Sequence, residues 1–237
     1  MTPAARQPGR LLLATLIVLT MVSGLVDAVS YLGLGHVFTA NMTGNVVLLG
    51  FAAAGASGFS APACLTSLGA FLAGAAAAGR MGRRLSSRRT LLAVAMTTEA
   101  LATGLAAVIA AAASGVSSGW PRFTIIAVLA FGMGVRNSTI RRLSVPDLTT
   151  TVLTMTLTGL AADSAIGGGD GCQSARRIAA VLAMLAGAFA GASAFLHAGA
   201  AATLAIGAFG VLVRGVAFWA AAESRRLDQP ASAAEAR

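Results

Sequence analysis

Apolar residues gather into eight segments along the chain, at 11–34, 42–57, 62–80, 90–113, 121–140, 149–166, 178–197 and 199–222, parted by short polar stretches. A helix needs about 20 predominantly apolar residues to cross the hydrocarbon core of a bilayer. Six segments predict spanning helices. The segments 42–57 and 149–166 are short and rich in Thr, Gly and Asn, which predicts half-helices that enter the membrane and return. The expected fold is an all-α membrane protein with six transmembrane helices and two re-entrant half-helices.

Composition agrees. Charged residues are 11% of the 237, whereas an ordinary globular chain carries about 25%; 57% belong to the hydrophobic set, 28 more are glycine, and the mean hydropathy is +0.80. A soluble fold of this size has too little interior for so much apolar surface. The net charge of +9 comes from 17 basic residues, all arginine. They cluster at segment ends with no interleaved aromatics, so they signal topology and not nucleic-acid binding. If all eight segments cross, the flanking arginines divide almost evenly between the two sides. If 42–57 and 149–166 return on the side they entered, fourteen lie in the cytoplasm and only Arg122 lies outside. The positive-inside rule selects the second arrangement, with both termini cytoplasmic. The 1–10 tail is then a cytoplasmic N-terminus, and the polar stretch 223–237 is expected to be disordered. The loop 114–119 is expected outside, with Trp120 and Trp219 at opposite interfaces.

Two stretches about 110 residues apart match, Ala70-Phe-Leu-Ala-Gly-Ala75 and Ala183-Met-Leu-Ala-Gly-Ala188. Both belong to small-xxx-small ladders, Ala70/Gly74/Ala78 and Ala183/Gly187/Gly191, which let helices pack closely in lipid and are compatible with a homo-oligomer. Asn41-Met-Thr-Gly-Asn-Val-Val likewise resembles Asp147-Leu-Thr-Thr-Thr-Val-Leu. Each repeat, 11–113 and 114–222, reads as helix, half-helix, helix, helix. Three crossings per copy is odd, so the second copy is inverted, as in secondary transporters whose site lies where broken helices meet.

The block from Gly24 to Gly50, Gly-Leu-Val-Asp-Ala-Val-Ser-Tyr-Leu-Gly-Leu-Gly-His-Val-Phe-Thr-Ala-Asn-Met-Thr-Gly-Asn-Val-Val-Leu-Leu-Gly, resembles the signature of the YoaK-like family of bacterial inner-membrane proteins. A second block, Arg136-Asn137 followed by Val145-Pro-Asp-Leu-Thr-Thr-Thr-Val-Leu-Thr154, is similar to another part of that family. The resemblance implies a multi-pass protein of the bacterial inner (plasma) membrane. It implies no established activity and carries over no catalytic residue.

Function must therefore be read from residues. Asp27 sits within the first helix, with Ser23, Ser30 and Tyr31 on the same stripe. An ionised Asp at bilayer depth costs about 2.5–3.5 kcal/mol on insertion scales, so it needs a partner, water or a solute. Glu99 is a second intramembrane carboxylate, read either as a titrating group or as a bond to another helix. Asn41 and Asp147 open the two short segments as N-caps, with Thr43, Asn45, Thr150 and Thr154 nearby as a polar track without fixed charge. Arg136 and Asn137 lie near the inner end of the fifth segment. Arg136 is read as snorkelling to the headgroups, or else as an anion site or a partner of Asp27; Arg214 is expected to snorkel. His36 and His197 read as turn residues. Cys64 and Cys172 have no metal or redox spacing, and no cofactor or metal is expected. The glycine-rich stretch 167–171 lacks the lysine of a phosphate loop and reads as a link.

These features favour a transporter or channel-like permease for a small polar or weakly acidic solute, with a proton as a coupling partner and the bilayer as its surroundings. A non-transporting scaffold or sensor is the alternative. Gly55-Ala-Ser57-Gly58 formally resembles the nucleophile motif of intramembrane serine proteases, with His197 as a base, but a non-enzyme is expected because so short a Gly/Ala/Ser-rich match arises by chance.

Overall fold

A computed structural model describes residues 10–85, 87–113, 115–143, 153–164, 167–168 and 174–227. Seven helices and no strand occur among them: α1 (Arg10–Gly33), α2 (Met42–Ala53), α3 (Ala61–Arg84), α4 (Arg88–Ala112), α5 (Gly119–Leu143), α6 (Leu153–Ala162) and α7 (Ser174–Leu227). Five of these, α1, α3, α4, α5 and α7, are long and apolar enough to cross a membrane. Helix α7 counts 54 residues. As one straight rod it would extend about 80 Å, far more than a bilayer is thick. Gly199 divides it: at φ 78° and ψ 179° it leaves helical geometry, in a conformation that costs glycine least. The arms 174–198 and 200–227 correspond to two apolar segments of the sequence, and His197 lies in the first arm instead of a turn.

The helix starts follow local chemistry. Ser60 and Ser87 accept from the backbone N–H groups of Ala63 and Thr90 and so cap α3 and α4. Pro62 stands in the first turn of α3, where its missing N–H costs nothing. The end of α1 turns through Gly35 (φ 83°) and His36 (φ 56°). Only glycine adopts such angles without a steric penalty.

Side-chain and backbone contacts fix the helix directions. Arg122, at the start of α5, donates from Nε to Leu34 O at the end of α1 (2.8 Å), and Arg136, late in α5, reaches Leu19 O (3.0 Å). These two helices therefore run antiparallel. Along α1, Met21, Leu25 and Gly33 meet Gly187, Gly191 and Phe195 in order, so the first arm of α7 runs parallel to α1. The second arm returns, with Gly207 against Leu25 and Arg214 bonded to Leu11 O (2.9 Å) and Thr15 Oγ1 (2.9 Å). Arg214 thus satisfies acceptors in the first turns of α1. The helices α3 and α5 run parallel, from Gly74 against Phe131 to Gly82 O accepting from Arg142 Nη1 (2.6 Å).

The buried core, with Leu16, Val26, Ile125, Leu129, Met133 and Leu204, lies along these contacts. The outward faces carry Leu65, Leu72, Leu101, Val108, Phe189, Leu196, Phe209 and Val216, all exposed. Such an apolar exterior is stable only where lipid covers it.

Candidate functional site

The chain between α1 and α2 is folded back and held by two side chains. Asp27 Oδ1 accepts from Thr39 N (3.0 Å) and Ala40 N (2.9 Å). Asn45 bonds Phe38 from both ends: Oδ1 accepts from Phe38 N (2.8 Å) and Nδ2 donates to Phe38 O (2.7 Å). Asn45 Nδ2 also lies 3.0 Å from Ser67 Oγ on α3, and that hydroxyl donates to Phe38 O (2.6 Å). Asn41 caps α2, its Oδ1 accepting from Gly44 N (3.2 Å).

This folding opens a cavity of about 550 Å³, lined by Asp27 and Tyr31 of α1, by Phe38, Asn41, Thr43 and Leu48 among others around the start of α2, by Leu153 and Thr154 of α6, and by Met184 of α7. The first turns of both short helices thus face one space. Asp27 lines that space while only 5% exposed, and its Oδ2, a buried atom, has no hydrogen-bond partner. Tyr31 and Phe38 stack at 5.0 Å along the wall.

The candidates named from sequence fall into three groups. Asp27, Asn41, Thr43 and Thr154 line the cavity. Ser30, Asn45, Glu99, Arg136 and Asn137 do not. Ser30 donates to Asp27 O one turn back (3.1 Å), and Asn45 is wholly buried in the bonds just described. Asp147 and Thr150 lie outside the described residues, as do Cys172 and most of 167–171. Phe38 and Met184 were missed, because a wall-forming apolar residue has no sequence signature that separates it from core.

Arg136 does not snorkel. It is fully buried, with Nη1 2.8 Å from Glu99 Oε1 of α4 and Nη2 donating to Ser23 Oγ (2.6 Å). Burial of both ions excludes headgroup water, so the guanidinium takes its acceptors from α1 and α4 instead. It lies within electrostatic reach of Asp27. Glu99 Oε2 has no hydrogen-bond partner. Ser57 is exposed past the end of α2, and His197 Nδ1 lies 2.7 Å from Ser193 O. The imidazole beside Gly58 is His36, at 3.0 Å from its carbonyl oxygen. No group of three or more His, Cys, Asp and Glu able to hold a metal occurs among the described residues.

Residues 15–217 match the family described as "Protein of unknown function (DUF1275)". The chain belongs to this family. It is also 34% identical over 145 residues to the UPF0700 transmembrane protein YoaK of Bacillus subtilis (strain 168), a match covering 61% of this chain and 64% of that protein. The chain thus spans less than two thirds of the curated relative it matches. No solved structure matches. With five apolar helices of spanning length and a transmembrane relative, this member of the family is a multi-pass membrane protein.

Proposed function

We propose that the protein is a secondary transporter or channel-like permease for a small polar or weakly acidic solute, coupled to protons through Asp27. The observation that carries this reading is the cavity in which the starts of two short helices meet an intramembrane carboxylate with one oxygen left without a partner. Soluble ligand sites are concave and combine apolar walls with a few placed polar groups; transporter sites add broken helices at mid-depth.

The topology behind this reading is six spanning helices, two re-entrant half-helices and an inverted 3+3 repeat in a bacterial inner membrane, with both termini cytoplasmic. Helix direction supports it. Were α2 to cross, α1 and α3 would run the same way. Yet α3 is parallel to α5, and α5 is antiparallel to α1. The same reasoning applies to α6, which links α5 to the oppositely directed first arm of α7. Helix α2 has 12 residues and α6 has 10 residues. They reach about 18 Å and about 15 Å, roughly half the hydrocarbon thickness. Contacts support the inversion. A Cβ on Gly24 would strike Met184 O and Ala188 N, and one on Gly134 would strike Phe71 O and Ala75 N. Likewise Gly187 abuts Met21 O, and Gly74 abuts Phe131 O. The first crossing maps onto the second residue by residue, through the matched Ala-x-Leu-Ala-Gly-Ala stretches. The same mapping places Asn137 where the first repeat has Asp27. The Arg83/Arg84 end of α3 and the Arg141/Arg142 end of α5 share one end of the bundle, and Arg122 lies at the other, as the positive-inside rule requires.

The test is uptake by proteoliposomes of urea, glycerol, acetate and guanidinium, with and without a pH gradient, using Thr154→Leu to fill the cavity. At least one solute should enter faster than in protein-free vesicles, and T154L should slow it about tenfold. No protein-dependent flux of any of the four overturns the reading.

A further inference from the structure

We infer that Asp27 Oδ2 is an exchange site, holding in alternation a proton or an N–H group of a small organic cation. This rests on the transport reading and narrows its solute to the cationic end of the polar class.

The geometry of Asp27 divides the labour between its two oxygens. Oδ1 accepts two backbone N–H bonds at 3.0 and 2.9 Å. Those donors have no lone pair to offer, so a carboxyl proton sits on Oδ2. Oδ2 is the oxygen left without a partner, on a residue that lines the cavity. Once the proton has left, Oδ2 is an acceptor only, and a solute that takes the proton's place must donate a hydrogen bond.

Charge selects the donor. The ionisable groups facing Asp27 can be taken helix by helix. On α1 there is Tyr31. On α5 there is Arg136, and that arginine is paired with Glu99 of α4. The cavity contributions of α2, α6 and α7 among the described residues, Asn41, Thr43, Thr154 and Met184, carry no charge. Among the described residues one guanidinium thus stands against two carboxylates, and with both ionised these three groups carry a net negative charge. No basic side chain lines the cavity among the described residues, so an anionic solute has no fixed charge there to pair with. The α2 N-terminus offers only about half a charge, and Asn41 already accepts one of its N–H groups. The stacked Tyr31 and Phe38 rings add an aromatic wall of the kind that attracts cations.

One cation enters Oδ2 as one proton leaves, so the exchange moves no net charge. Guanidinium, urea and nitrate are planar, of nearly one shape, and carry charges of +1, 0 and −1, which makes them suitable probes. In proteoliposomes with an acidic lumen, radiolabelled guanidinium should accumulate at least tenfold above equilibrium, and clamping the membrane potential with potassium and valinomycin should not change this. Lowering the external pH should raise the apparent KM for guanidinium at constant maximal rate, a result on the wild-type protein that needs no variant. Asp27→Asn should abolish the driven uptake while eluting as a monodisperse protein, and Asp27→Glu should retain part of it. Urea or nitrate entering as fast as guanidinium overturns the inference and leaves the transport reading standing. Guanidinium uptake that follows the potential, or that is indifferent to external pH, also overturns it. Absence of flux for every solute overturns both.

Discussion

Arg136 and Glu99 are each at most 1% exposed and share a 2.8 Å contact inside the bundle. Such a pair is costly to assemble, but removing one partner leaves the other charge buried alone, at a cost of about 3–5 kcal/mol. Glu99→Gln is therefore expected to lower the thermal unfolding midpoint in detergent sharply. The double change Glu99→Met with Arg136→Met should recover most of the loss. If the double variant unfolds as early as the single one, the pair is not the source of the cost. Sequence marked Glu99 as an intramembrane carboxylate and read Arg136 as snorkelling, so that they meet was not legible. Glu99 and Arg136 are 37 positions apart on adjacent helices, and neither residue carries information about the rotation of the other's helix. For Asp27, proximity to Ser23 and Tyr31 on one helical stripe was legible. The bonds from Thr39 and Ala40 were not, because they depend on the chain reversing after Gly35.

The helices owe their closeness to glycine. At the α1–α7 and α3–α5 crossings, Gly187 and Gly74 lie against the carbonyl groups of Met21 and Phe131, where a Cβ has no room. In lipid no hydrophobic drive holds helices together, so such contacts carry the packing. Gly187→Leu and Gly74→Leu should each destabilise the protein by about 1–3 kcal/mol or more, the usual range for overpacking. Gly50→Ala, where no heavy atom lies within 4 Å of the added carbon, should leave the unfolding midpoint within about a degree of wild type. Comparable losses at Gly50 and Gly187 would contradict this packing account. The small-xxx-small ladders announced these crossings in advance, because a steric requirement for no side chain is written directly as glycine. Their partners were decided by tertiary structure, and the ladders serve contacts within the chain.

Across the whole molecule, the distribution of arginine and the directions of the helices describe the same orientation. In the proposed topology, Ser87→Cys in the loop between α3 and α4 faces the cytoplasm, and Ser118→Cys before α5 faces outward. An impermeant maleimide applied to intact cells should label the second and spare the first until the membrane is opened. Labelling of Ser87→Cys from outside would place an odd number of crossings before it and remove the basis of the inverted repeat.

The sequence by itself determined that the chain is helical and membrane-embedded, which stretches form its long helices, and that two apolar segments are short. Burial in lipid is set by composition, and a span by its run of apolar residues; both are local properties. Tertiary structure alone decided that Asp27 offers one oxygen to the backbone and one to a cavity, that Thr154 reaches the same cavity from α6, and that Arg136 is held by Glu99 instead of reaching the surface. Each of these depends on which faces of distant helices are turned together, and that is settled by close backbone approach between segments that no periodicity connects.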